Sequence, residues 1–220
     1  MNLENTAKAI PLFPVYYFRD KIEDNDELKN LLVDKIVTDS KELKIPEGWD
    51  TNKLMTSFSG EVPGKEIFFG EDGKYRSILE PKYAKCIDNF FDNGKIPYTA
   101  VIDEIWYNCY FDGEWQEQHD HLISGGGAHF SCIHFLSFDD TRHLPVRFHD
   151  PLEQIRTTTI NIKYLNYRPV QLPKIEEGDF IMFPSFLTHS VIPSVKTLDY
   201  PRITIAMNVT VLDYEVPDDK

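Results

Sequence analysis

A chain of 220 residues that is 41% hydrophobic and carries 15 Phe, 11 Tyr and 3 Trp can bury a substantial core and suits one domain, residues 1–220. Its formal net charge of −13, with no basic patch in the sequence, argues against a nucleic-acid partner, since a phosphate backbone would be repelled. The first residues, MNLENTAKAIPLFPVYYF, lack a basic segment followed by a long apolar run, and no later stretch approaches the ~20 apolar residues of a membrane helix, so a cytoplasmic protein without membrane association is expected.

The segment PLFPVYYFRD, aromatic and β-branched between prolines, reads as a short first strand. A helix is expected in DNDELKNLLVDKIVTDSKEL, where Leu28, Leu31, Leu32 and Ile36 recur at helical spacing and Asp24 or Asn25 can cap the start. The stretch from KIPEGWDTNKLM through EVPGKEIFFGEDGKY is rich in Gly, Pro and charge and reads as loop with a hairpin. A second helix is expected at SILEPKYAKCIDNFFDNG, with Tyr83, Ile87, Phe90 and Phe91 on one side and Gly94 as its stop. From residue 98 the period changes to that of strands: TAVIDEIWYNCYF, GAHFSCIHFLSF, VRFHD, TTTINIKYL, DFIMFP, HSVIPSV and RITIAMNVTVLDY, separated by turn clusters such as DDTRH and EEGD. Many short strands without intervening helices predict a mainly β fold, an antiparallel barrel or jelly roll over residues 98–214, with the strand, helices and loops of residues 1–97 packed on it. Cys86, Cys109 and Cys132, an odd set without CxxC spacing, read as reduced thiols, two of them in apolar strand patterns.

Chemistry concentrates in WQEQHDHLISGG, where His119 and His121 lie two apart. A strand sends such residues to one face, so both imidazoles can aim at one point, although a segment this hydrophilic also suits an exposed turn. Seventy residues on, GDFIMFPSFLTH ends an apolar strand at His189, and three imidazoles from two strands would make a metal site with open positions for oxygen and a substrate. Near the end, YPRITIAMNVT places Arg202 thirteen residues after His189, with Thr204 on the same strand face.

The spacings of GEWQEQHDH, from Gly113, and GDFIMFPSFLTH, from Gly178, resemble the two cupin motifs, without the glutamate expected after HxH and with Phe186 where a glycine is usual. That partial likeness implies a double-stranded β-helix, the jelly roll that cupins share with iron oxygenases. The RxT of Arg202 and Thr204 resembles the RxS/T motif of 2-oxoglutarate and iron(II)-dependent oxygenases, in which the arginine forks onto the distal carboxylate of 2-oxoglutarate and the hydroxyl supports it. Taken in order, PLFPVYYF, EIWYNCYFDGEWQEQHDH, FSCIHFLSFD, RFHDP, GDFIMFPSFLTHSVIP and RITIAMNV resemble a branch of that superfamily frequent in phages and marine bacteria, most closely over residues 101–212.

The resemblance implies iron(II) bound by His119, His121 and His189, with 2-oxoglutarate and O2 as co-substrates, and hydroxylation of an unidentified target, a small molecule or a protein side chain. It also implies that Asn108 or a neighbouring tyrosine such as Tyr110 touches the co-substrate. Ser131 would bond the co-substrate or merely permit close packing. Members usually bind iron with HxD or HxE and a distal histidine, and neither occurs in this chain. Either His121 fills the carboxylate position or Asp120 takes part after a local kink, and an unkinked strand, which points Asp120 away, favours His121. His134 reads as a core histidine or one behind the ligands, and His129, His143 and His149 as structural or surface residues. The glycines of SGGGAH suit a mobile lid or a plain loop. Two alternatives stand beside the oxygenase: a cupin-type three-histidine dioxygenase or isomerase without 2-oxoglutarate, and a non-catalytic jelly-roll module.

Overall fold

In the computed structural model, the residues described are 15–41, 55–58, 73, 75–94, 97–122, 127–154, 156, 168–194 and 200–214. Their strands form two antiparallel sheets, the two walls of a double-stranded β-helix. The larger sheet has the order β1-β8-β5-β10-β3-β2, with β1 Phe18–Lys21, β2 Met55–Thr56, β3 Tyr98–Tyr110, β5 Phe130–Ser137, β8 Asp179–Pro184 and β10 Arg202–Tyr214. The smaller has the order β4-β9-β6-β7, with β4 Gln116–His119, β6 Arg147–His149, β7 Val170–Gln171 and β9 His189–Val191. No helix among the described residues is long and apolar enough to cross a membrane.

Two helices cover the outer face of the larger sheet. Helix α1, Asn25–Ser40, has Asp26 and Glu27 in its first turn, where carboxylates suit the helix dipole, and buries Leu28, Leu32 and Ile36. Asp24 stands at its N-cap position, but the carboxylate makes no cap hydrogen bond and pairs instead with Lys82 of α2, Arg76–Gly94. Leu79, Tyr83, Ile87 and Phe91 of α2 join the α1 stripe against Ile105, Tyr107 and Cys109 of β3, Cys132 of β5, Phe180 and Met182 of β8, and Ile203, Ile205 and Met207 of β10. The period-2 alternation of strands sends the intervening residues inward, where Ile133, Phe135, Phe148, Ile181 and Phe183 form a second apolar cluster between the sheets. Both faces are buried, which is why β8 reads as the apolar run FIMF and β5 as a mainly apolar segment without hydrophobic–polar alternation.

The strands at DFIMFP and RITIAMNVTVLDY have the predicted limits. The one at HSVIPSV stops at Val191, two residues before Pro193, which has no N–H for the ladder. β2 and β7, two residues each, carried no periodic signal. The predicted strand TTTINIKYL, the N-terminal residues PLFP and the predicted hairpin, apart from β2, lie outside the described residues. All three cysteines are buried free thiols.

Two backbone positions tie the site to this frame. Gly113 and Gly178 have φ of +71° and +81°, which side chains with a Cβ rarely adopt. A Cβ at Gly178 would also come within 3.1 Å of Asn25 Cβ, so the turn into β8 needs glycine for space as well as for conformation.

Candidate metal and co-substrate site

Register brings the histidines together. β4 pairs antiparallel with β9 so that His119 lies directly opposite His189, and their ring centroids are 4.2 Å apart. His121 follows the end of β4, and its ring lies 5.4 Å from His119 and 5.2 Å from His189. One ligand nitrogen from each of the three lies within 4.8 Å of the others. Asp120 does not join them: it is exposed, and its Oδ1 accepts the Leu122 N–H at 3.0 Å.

Hydrogen bonds select the nitrogens. His119 Nδ1 is 2.9 Å from Glu117 O and His189 Nδ1 is 3.0 Å from Leu187 O. A carbonyl only accepts, so both rings carry the proton on Nδ1 and leave the Nε2 lone pair for a metal. His121 Nδ1 is 2.7 Å from Asn208 Oδ1 and adopts the same tautomer by donating to it. Burial, the largest cause in both cases, pulls His121 below and His189 well below the ordinary imidazole value, and the neighbouring imidazoles add to it at His189. These two rings are therefore neutral at physiological pH, the form that binds divalent metals.

The second half of the site comes from the pairing of β3 with β10, which sets Arg202 opposite Tyr110, Thr204 opposite Asn108 and Ala206 opposite Trp106. These six residues line one cavity together with the three histidines and Gln116. Ile133, Val146 and Val191 complete its walls. Arg202 is 2% exposed, yet its Nε and Nη1 have no hydrogen-bond partner, and its guanidinium lies over the rings of Tyr110 at 4.7 Å and Phe135 at 5.6 Å. A buried cation with two of its three nitrogens unsatisfied is costly unless an anion meets it, and the planar fork matches a carboxylate. Asn108 Oδ1 is likewise buried without a partner. The donor set therefore fits both a first-row divalent metal and a dicarboxylate.

The family model described as "Putative 2OG-Fe(II) oxygenase" matches residues 104–208, the stretch that holds both halves of this cavity. That stretch is similar to the 2-oxoglutarate and iron(II)-dependent oxygenases, and the match supports this superfamily. Solved structures agree on the fold. AviO1 from Streptomyces viridochromogenes superposes with a TM-score of 0.58 at 11% identity, covering 93% of this chain and 91% of its own. HygX from Streptomyces hygroscopicus, with nickel, 2-oxoglutarate and hygromycin B bound, gives 0.53 at 9%, covering 89% and 83%. A prolyl-4-hydroxylase of Pseudomonas putida gives 0.52 at 12%, covering 89% and 92%. No curated protein matches the chain significantly. The enzyme is thus an oxygenase that uses iron(II) and 2-oxoglutarate, and the cupin-type and non-catalytic alternatives are not favoured.

Of the residues singled out in the sequence, His119, His121, His189, Arg202, Thr204, Asn108 and Tyr110 meet in one cavity. Ser131 stands apart, its Oγ 3.1 Å from Ser185 Oγ and outside the cavity lining. His134 faces the helices, with Nε2 2.7 Å from Asn25 Oδ1 and Nδ1 3.1 Å from Tyr83 Oη. His129 Nδ1 accepts the Val211 N–H, His143 spans Asp139 and Tyr200, and His149 Nε2 is 2.9 Å from Ser190 Oγ. Sequence reading missed Gln116, whose Oε1 accepts the Tyr110 hydroxyl at 2.8 Å and whose Nε2 is 3.4 Å from His119 Nε2. It also missed Asn208, although the alternation Arg202, Thr204, Ala206, Asn208 on β10 pointed to it.

Proposed function

We propose that His119, His121 and His189 hold iron(II), and that Arg202, backed by Thr204, grips the far carboxylate of 2-oxoglutarate, so that the enzyme hydroxylates a C–H bond of its substrate. The observation that carries this is one cavity bounded by three converging imidazoles and by a buried guanidinium with two unpaired nitrogens. The iron, when bound, supplies oxygen activation coupled to oxidative decarboxylation of 2-oxoglutarate to succinate and CO2.

The chain's own residues bind, orient and exclude water. Arg202 fixes the register of the co-substrate by a two-point contact, and the Tyr110 ring against it keeps the fork from swinging. Asn108, opposite Thr204, lines the same cavity with a buried amide oxygen that has no partner, and so offers its amide to the co-substrate. Trp106, Ile133, Val146 and Ala206 keep the cavity walls apolar, which strengthens every charge contact inside. Structures of similar fold include a prolyl-4-hydroxylase and a protein with hygromycin B bound, which supports a peptide side chain or a small molecule as the target. Three buried free thiols support action in a reducing compartment such as the cytoplasm.

The test is anaerobic reconstitution with Fe(II) followed by 2-oxoglutarate. A visible charge-transfer band of the chelated ketoacid is expected, lost in His119→Ala and weakened in Arg202→Ala. A wild type that binds Fe(II) but gives neither the band nor any calorimetric 2-oxoglutarate binding would sink the assignment.

A further inference from the structure

The three imidazoles are not held in the same way. His119 and His189 each donate Nδ1–H to the carbonyl two residues earlier, Glu117 O and Leu187 O, so their tautomers are set locally by the strands that carry them. His121 lies beyond the end of β4, where strand geometry no longer aims its side chain. Its backbone is fastened to the turn after β8, the His121 N–H donating to Ser185 O at 3.0 Å. Its ring is fastened 87 residues away in sequence, Nδ1 to Asn208 Oδ1 at 2.7 Å. The Trp106 ring lies 5.8 Å from it at a 31° tilt.

We infer that Asn208 is the positioning residue for the third metal ligand: its side-chain amide supplies the acceptor that main-chain carbonyls supply to the other two imidazoles, and so makes His121 a ligand through Nε2. This rests on the three-imidazole reading above. Asn208 is 8% exposed and lies on the same face of β10 as Arg202, Thr204 and Ala206, so a single strand serves both halves of the cavity. A free imidazole in water mixes both tautomers. An acceptor on Nδ1 fixes one, orients the ring and raises the basicity of the opposite nitrogen. A neutral amide does so without adding charge. An aspartate at the same position would do it with an anion, moving a negative charge back toward a site that has no carboxylate ligand.

Two readouts test this on the full chain. In metal-free protein labelled with 15N-histidine, long-range proton–nitrogen correlation should show His121 as the Nδ1–H tautomer in the wild type and in Asn208→Asp, and as a mixture in Asn208→Ala. Ni(II) affinity, measured by chelator competition, should fall ~10–100-fold in Asn208→Ala, the usual effect of losing a partner behind a ligand, and should be kept or tightened in Asn208→Asp. Leu212→Ser, an exposed change on the same strand outside the cavity, should leave Ni(II) affinity unchanged. An Nε2–H tautomer for wild-type His121, or Ni(II) affinity unchanged in a folded Asn208→Ala protein, overturns the inference alone. A wild type that binds no Ni(II) instead overturns the three-imidazole reading and this inference with it.

Discussion

His134 and His189 are almost equally enclosed, 0% and 4% exposed, yet they stand on different walls of the fold and are treated in opposite ways. His134 points from β5 toward the helices and has both nitrogens engaged, Nε2–H donating to Asn25 Oδ1 and Nδ1 accepting the Tyr83 hydroxyl. Asn25 passes the link on by donating to Leu136 O at 3.2 Å. His189 points from β9 into the space between the sheets with Nδ1 bonded and Nε2 turned toward two other imidazoles. The same contrast separates the two faces of β10. Ile203, Ile205 and Met207 pack on the helices, whereas Arg202 on the alternate face keeps unpaired nitrogens inside the fold. Full satisfaction marks the polar groups that hold the fold together, and partial satisfaction marks the ones that await a partner.

The strongest way to break this contrast is to remove the awaiting groups. A His119→Ala/His189→Ala variant should lose first-row divalent metal by more than the ~100-fold that loss of an outer partner costs. Equilibrium dialysis with Mn(II) measures this, and retention equal to the wild type would move the metal elsewhere. Thermal unfolding of the metal-free variant should stay cooperative, because each ring's Nδ1 bond reaches only the carbonyl two residues earlier in its own segment.

Next in size is Arg202. Truncating one side of a buried, charge-assisted pair costs ~2–5 kcal/mol, so Arg202→Ala should weaken 2-oxoglutarate binding by roughly two powers of ten or more. Arg202→Lys should recover part of it, since a point charge cannot reproduce the fork. Metal binding should survive in both. Calorimetry on the manganese-loaded enzyme decides it: equal affinity for 2-oxoglutarate without Arg202 would sink the carboxylate role.

The half of the molecule that awaits partners was also the half more legible in the sequence. His119, His189 and Arg202 stood out because an HxH, a histidine after an apolar strand and an arginine inside ITIAMNV each break a local pattern. β5 and β8 were legible for the same reason of pattern, their burial on both faces leaving mainly apolar segments. β4 was not, because QEQH is wholly polar and its place is fixed by pairing with β9 rather than by burying a face. The helix-side tie of His134 was invisible because Asn25 and Tyr83 are 109 and 51 residues from it, and only packing brings them together. Asn208 stands in the alternation of β10, but its partner, His121, sits where β4 has ended, so its role behind that ring could not be read from strand periodicity.

The satisfied side of the comparison makes its own prediction, smaller and in stability rather than binding. Burial holds His134 down at about 3, against an ordinary value near 6.5. Between those values the unfolded chain binds a proton that the folded one refuses, so the stabilisation is complete above about pH 6.5 and is lost as pH falls toward 3. His134→Leu should therefore show a shallower acid dependence of unfolding free energy, by up to ~1.4 kcal/mol per pH unit. At pH 7.5 it should be less stable by ~1–3 kcal/mol for each polar partner stranded, Tyr83 and Asn25. Urea unfolding at pH 7.5, 6.5 and 5.5 measures both, and parallel curves for the two proteins would contradict the burial argument. 2-Oxoglutarate affinity should not change.

The smallest effect expected lies between two adjacent residues of HDH and tests where the boundary between awaiting and satisfied groups runs. Asp120 is exposed and already engaged, accepting the Leu122 N–H, while His121 is turned inward against Trp106 and Asn208. Asp120→Ala should leave the metal in place. It removes only a screened charge beside His121, a long-range attraction worth about a two- to threefold loss in metal affinity at high effective dielectric. His121→Ala should cost far more, and His121→Asp, which returns an anionic oxygen to the third position, should keep Fe(II) or bind it more tightly, because a carboxylate partly neutralises the dication where imidazole does not. The ordering of the three variants matters more than any one value. If Asp120→Ala abolishes metal binding while His121→Ala spares it, the chain must kink at β4 to turn its carboxylate inward, and His121 with Asn208 then belongs with His134 among the groups that only hold the fold.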